Sequence, residues 1–140
     1  MKTSHFAAFR TSSTLNAVAI TVSMSKYIYV KNQYKALAPT WALLSAFREG
    51  RIGESQYIEQ YSKQLSKLDP KKVYADLCNL SGSTDPILIC HCSKKDFCHR
   101  HLAAEWLEKG LGVEITEVGH QKTTRLKGYC SNQEPQVSLL

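Results

Sequence analysis

Ile87-Leu88-Ile89-Cys90-His91-Cys92, then Ser93-Lys94-Lys95-Asp96, then Phe97-Cys98-His99-Arg100-His101-Leu102-Ala103-Ala104-Glu105-Trp106-Leu107 is the stretch that decides the fold. Its first six residues make a continuous apolar run behind Asp85-Pro86, the composition of a strand covered on both faces. Residues 93–96 turn the chain, with Asp96 placed as an N-cap. Leu102, Ala103, Trp106 and Leu107 then recur at helical spacing up to a stop at Gly110, and Gly112 to Val118 alternates as a further strand. Strand, helix and strand at this spacing form a βαβ unit with parallel strands and a right-handed crossover. The fold class is therefore α/β, built on a mostly parallel sheet.

Working upstream, Pro70 to Leu80 reads as a helix opened by Asp69-Pro70 and ended by Gly82, with Val73, Leu77 and Leu80 inward. Gly53-Glu54-Ser55 opens another that carries Tyr57, Ile58, Tyr61 and Leu65, and Pro39-Thr40 opens a third through Trp41, Leu43, Leu44 and Phe47 to Gly50. The aromatic and basic segment Tyr27 to Pro39, with Tyr29, Lys31, Tyr34 and Lys35, lacks periodicity and reads as a loop. Asn16 to Ser23 is rich in β-branched residues and reads as a buried strand, and Lys2 to Phe6 as a first one. Downstream of Gly119 the chain turns polar and irregular, so residues 1–118 read as one α/β domain and 119–140 as a partly flexible extension, loosest after Cys130.

With 140 residues and 43% apolar content, the chain buries a core without disulfides. Asn16 to Met24 is far short of the roughly 20 apolar residues that span a bilayer, and the first residues carry no secretory pattern, so a cytoplasmic protein with no membrane partner is expected. Three of the five cysteines crowd into nine residues, which reads as reduced thiols rather than a bridge framework. A net charge of +6 favours anionic partners, although Lys63, Lys67, Lys71 and Lys72 read as a solvated helix surface.

Ligands of open α/β sheets sit outside the carboxyl ends of the strands, which here means Cys90 to Arg100. A helix start offers unpaired amides to an anion. Arg100 would clamp that anion, His99 would shuttle a proton, and Cys98 in the first turn is placed either as a reactive thiolate or as a small buried hydrophobe. His101 and Glu105, one turn apart, make either an acid/base pair or an ordinary surface pair. Six nitrogen and sulfur ligands fall within twelve residues, but a regular strand sends Cys90 and Cys92 to one face and His91 to the other, and no paired zinc knuckle is present. No metal and no cofactor are expected.

The strand ending in Cys90, the short charged turn and Phe97-Cys98-His99-Arg100-His101-Leu102 to Leu107 resemble the signature of the domain of unknown function 488 family. Tyr34 to Leu44, Gly50-Arg51-Ile52, Tyr57 to Tyr61 and Asp69 to Tyr74 also look like that family, so the likeness runs from Thr3 to Val118. Thr21-Val22-Ser23-Met24-Ser25 stands where such chains carry Ser-Arg-Gly-x-Pro. The resemblance implies a Rossmann-like three-layer sandwich with helices on both faces, and a domain that handles nucleotides or nucleotide-derived signals. It singles out Cys90, Cys98, His99, Arg100 and Glu105. The resulting expectation is a nucleotide- or nucleoside-processing enzyme, with N-glycosidic hydrolysis as the candidate reaction and a small anionic ligand as partner. Cys98, His99 and Glu105 are its catalytic candidates, and Cys90, Arg100, Tyr34 and Lys35 its substrate-binding ones. A binding module without turnover and a nucleic-acid accessory using Tyr27 to Lys35 are the alternatives.

Overall fold

The computed structural model describes residues 1–6, 16–23, 30–91 and 97–132. Strands β1 (Lys2–His5), β2 (Ala17–Ala19), β3 (Asn32–Gln33), β4 (Ile87–Cys90) and β5 (Thr116–Glu117) form one sheet in the order β3-β2-β4-β1-β5, and every pairing is parallel. The apolar run of β4 is central and wholly buried, as an all-apolar strand in a parallel sheet must be. Helices α1 (Trp41–Arg48), α2 (Glu54–Ser66), α3 (Pro70–Ser81) and α4 (His99–Leu111) complete an α/β fold compatible with a Rossmann-like three-layer sandwich.

Pleating separates two cores. Val18, Ile20 and Leu88 face the helices and pack with Tyr61, Leu65, Leu77, Ala103 and Leu107. Ala17, Ala19, Ile87 and Ile89 face the other way, against Phe6 and Val30. Helix starts follow the sequence signals at α1, where Thr40 Oγ1 accepts from Leu43 N at 3.2 Å, and at α3, where Asp69 caps Lys71 N at 3.1 Å ahead of Pro70.

Several expectations need correction. The segment 27–39 is not only a loop: it holds β3 and a 3-10 turn at Lys35–Leu37. The polar pair Asn32-Gln33 gave no alternation to read, and β3 exists because it lies along β2. Leu80 is 41% exposed, since the last turn of α3 runs past the core that covers Val73 and Leu77. The cap of α4 is Cys98, not Asp96, which lies outside the described residues. The strand expected over 112–118 narrows to Thr116–Glu117.

Nor does Gly110 stop α4. The helix continues to Leu111 and is closed by Gly112 at φ 66. Gly110 lies where α4 meets the start of α3, and a Cβ there would stand 2.4 Å from Pro70 Cγ. Gly110→Ala should therefore lose about 1–3 kcal/mol by overpacking, against the usual helix preference of about 1 kcal/mol for alanine over glycine. Urea unfolding reads the sign directly.

The polar segment after Gly119 is likewise more ordered than its composition suggested. It forms an antiparallel hairpin of β6 (Thr123–Leu126) and β7 (Tyr129–Asn132), while residues 133–140 lie outside the described residues. Among the described residues no helix is long and apolar enough to cross a membrane.

Candidate functional site

The strand order sets where the sheet opens a crevice. From β2 the chain moves to β3, toward one edge, while from the adjacent β4 it moves over β1 to β5, toward the other. Connections that leave neighbouring strands in opposite directions open a crevice at their carboxyl ends. A hollow of about 50 Å³ lies there, lined by Thr21, Val22 and Ser23 after β2, His91 after β4, His99 at the start of α4, and Pro39, Leu44 and Arg48.

His99 is the sequence-read residue that faces this hollow. Its Nε2 donates to the Ile20 carbonyl, which can only accept, so in the neutral ring Nδ1 carries the lone pair. That Nδ1 is 3.8 Å from Cys98 Sγ, and the ring stands edge-on to Tyr61 at 5.8 Å. His91 donates through Nε2 to the Ser23 carbonyl at 2.8 Å and packs on Phe6. Arg48, exposed in the last turn of α1, makes no ion pair among the described residues.

Arg100, read as the anion clamp, is sealed instead. Its side chain is 0% exposed and forks onto Glu117, with Nη2 2.7 Å from Oε2 and Nε 3.2 Å from Oε1. Its Nη1 donates to Cys90 Sγ at 2.8 Å. Burial pulls this guanidinium toward its neutral form, but the Cys90 sulfur and Glu117 outweigh that and hold its pKa above the ordinary value. Nor does the helix start offer its amides to a ligand: Arg100 N points to Cys98 Sγ at 3.5 Å and His101 N to the Cys98 carbonyl at 3.1 Å.

Cys90 and Cys98 are buried thiols with their sulfurs 2.7 Å apart. Cys98 thus points inward, away from the hollow. Glu105, six residues along α4, lines a different hollow of about 250 Å³ beside α2, near Lys109 Nζ at 3.5 Å. Tyr34 donates to Asp76 Oδ2 at 2.8 Å, and partial burial followed by that carboxylate pushes its phenol up to about 12. Lys35 is exposed on the 3-10 turn, while Tyr27 and Tyr29 lie outside the described residues. The substrate-binding set named from sequence is therefore not gathered at one place. Among the described residues no group of three or more His, Cys, Asp or Glu is arranged to hold a metal ion, and Cys92 lies outside them.

Behind Arg100 runs a buried polar chain that the sequence did not announce. Thr3 Oγ1 donates to Glu117 Oε1 at 2.6 Å and accepts from Arg125, whose Nε reaches His101 Nδ1 at 3.2 Å and whose Nη1 donates to the Ile115 carbonyl. Burial draws the Arg125 guanidinium below its ordinary pKa, with Glu108 3.7 Å away opposing. Nothing local distinguishes Glu117 from Glu114, or Arg125 from its polar neighbours. Only the pairing of β5 with β1 and the docking of the hairpin reveal them.

The chain matches the family DUF488-N3a, described as the active DUF488-N3 subclade, over residues 13–111. No curated protein and no solved structure matches it. The matched stretch holds both histidines of the hollow, Arg48 and the thiol pair, and ends before Glu117 and Arg125.

Proposed function

The chain belongs to the DUF488 family, and from that premise we propose that it processes a nucleotide or nucleoside derivative whose anionic end sits in the hollow between β2 and β4. The single observation that carries this reading is the position of that hollow at the switch point, lined by Arg48, His91 and His99. A guanidinium with no ion pair among the described residues and two imidazoles suit a phosphate, and a volume of about 50 Å³ suits the phosphate rather than the whole ligand. The sugar and base then lie outside the hollow. Trp41 is placed to meet them: it is 62% exposed and shares one stripe of α1 with Leu44 and Arg48, which line the hollow.

For chemistry, His91 and His99 are the imidazoles of the hollow and its candidates for carrying a proton. The description of the matched subclade as active supports turnover. The test is to incubate the protein with nucleosides, nucleoside monophosphates and NAD, follow freed base by chromatography, and measure binding of the same compounds by calorimetry. Arg48→Ala should weaken phosphate-bearing ligands at least tenfold, the effect of a charge-assisted contact worth about 1.5–3 kcal/mol. His99→Gln should abolish turnover with less effect on affinity. If Arg48→Ala binds every ligand as wild type does, the hollow is not the anion site.

A binding module without turnover is the second reading. It is favoured by one observation: Cys98 and Arg100 turn away from the hollow and are tied to other groups. Ligand bound and recovered intact by wild-type protein would decide for it.

A further inference from the structure

We propose that Cys90 and Cys98 are a redox-active dithiol, closed to a disulfide by a hydroperoxide and reopened by thiol exchange. The pair is made by the fold: Cys90 ends β4, Cys98 caps α4, and their sulfurs stand 2.7 Å apart with no side chain between them. A covalent S–S separation of about 2 Å is less than one ångström away. Each sulfur also has polar neighbours that can take its proton or offset its charge, against the cost of burial. Cys98 sits at a helix start, with Arg100 N 3.5 Å from Sγ and the lone pair of His99 Nδ1 at 3.8 Å as proton acceptor. Cys90 receives the Arg100 guanidinium at 2.8 Å.

Cys90 and Cys98 are 0% and 2% exposed, which excludes a protein disulfide as oxidant and leaves a molecule as small as hydrogen peroxide, reaching Cys98 past His99. In the first step the Cys98 thiolate attacks one peroxide oxygen. The O–O bond breaks, Cys98 becomes a sulfenic acid, and the departing oxygen takes a proton and leaves as water. In the second step the Cys90 thiolate attacks Cys98 Sγ, the S–O bond breaks, and hydroxide takes a proton and leaves as a second water. Two thiols and one hydrogen peroxide thus give one disulfide and two waters. A dithiol reductant returns two electrons and two protons by exchange.

Closure would consume the sulfur acceptors of both Arg100 Nη1 and Arg100 N, and so couples oxidation to the start of α4 that positions His99. Cys78 lies on α3 beside the Tyr74 hydroxyl, and Cys130 on β7 beside the Arg125 guanidinium.

The experiment is a peroxide titration of the full chain followed by intact mass and tryptic mapping without reduction. One equivalent should lower the mass by two hydrogens and leave three of the five thiols open to alkylation after denaturation. Trypsin cuts at Lys94, Lys95 and Arg100, so the Cys98 peptide should travel linked to the Cys90 peptide and separate on reduction. Cys78 and Cys92 share that second peptide, so Cys78→Ser combined with Cys92→Ser must keep the link in full. Cys90→Ser must lose it and stop at a sulfenic acid on Cys98, trapped by dimedone. Should Cys90→Ser fail to fold, linkage in the Cys78→Ser, Cys92→Ser double variant decides alone. Five open thiols after excess peroxide, or a link that survives in Cys90→Ser or is lost in the double variant, overturns the proposal.

Discussion

Replacing Glu117 by alanine is expected to lower the melting temperature by roughly 6–20 °C, as read by circular dichroism at neutral pH. The reason is the company that Glu117 keeps. Its side chain and that of Arg100 are 2% and 0% exposed, and the carboxylate takes two hydrogen bonds from the guanidinium and a third from Thr3. Removing one partner of such a pair strands the other charge in the interior, at a cost of about 3–5 kcal/mol. In a chain of this size each kcal/mol moves the midpoint by about 2–4 °C.

Controls separate this cause from others. Glu59→Gln and Glu49→Gln remove carboxylates from exposed ion pairs and should stay within about 0.5 kcal/mol of wild type. Glu117→Gln keeps the shape and the Thr3 contact while losing the charge, and should fall between wild type and Glu117→Ala. Arg100→Met combined with Glu117→Leu removes both charges of the pair, leaves the buried Arg125 facing Glu108, and should recover part of the loss. A Glu117→Ala protein that melts with the surface controls would mean that Arg100 escapes to solvent, and it would then be available to a ligand after all.

That buried pair also shows how far the sequence can be read. The β4 run, the starts of α1 and α3, and the core positions Tyr57, Tyr61, Leu65, Val73 and Leu77 were legible because burial and capping leave local patterns. Arg100 was not legible. A cation in the first turn of a helix looks the same whether it awaits an anion or is paired with a carboxylate 17 residues away. The hollow was half legible: its address followed from the strand-to-helix order and His99 from the helix start, but Arg48 and the Ser23 partner of His91 come from segments that only the sheet order brings there. β3 and the hairpin escaped for a simpler reason. Asn32-Gln33 and Thr123-Thr124-Arg125 are polar, and what orders them is pairing with other strands.

Gly128→Ala should cost about 2–5 kcal/mol, the sum of a positive-φ penalty and an overpacking penalty. Lys127 at φ 52 and Gly128 at φ 86 make the two-residue turn between β6 and β7, with positive φ at both positions as a tight hairpin of this kind requires. A Cβ on Gly128 would also stand 2.3 Å from Phe97 Cε2. The Phe97 ring has little room to retreat, because Phe47, Tyr57 and Tyr129 pack around it at 5.3–5.6 Å between centroids. Gly50→Ala supplies the comparison: φ is +74 there, but nothing lies within 4 Å of the new Cβ, so only the conformational part of the penalty remains. The difference between the two variants in urea unfolding isolates the contact with Phe97. That contact bears on the site, because the Gly128 carbonyl accepts from Cys98 N at 2.9 Å and so ties the hairpin to the residue that caps α4. Gly128→Ala should therefore also weaken ligand binding at the hollow, through His99, whereas Gly50→Ala should not. If both variants lose the same stability and bind alike, Phe97 yields to the methyl group and the hairpin does not hold the start of α4 in place.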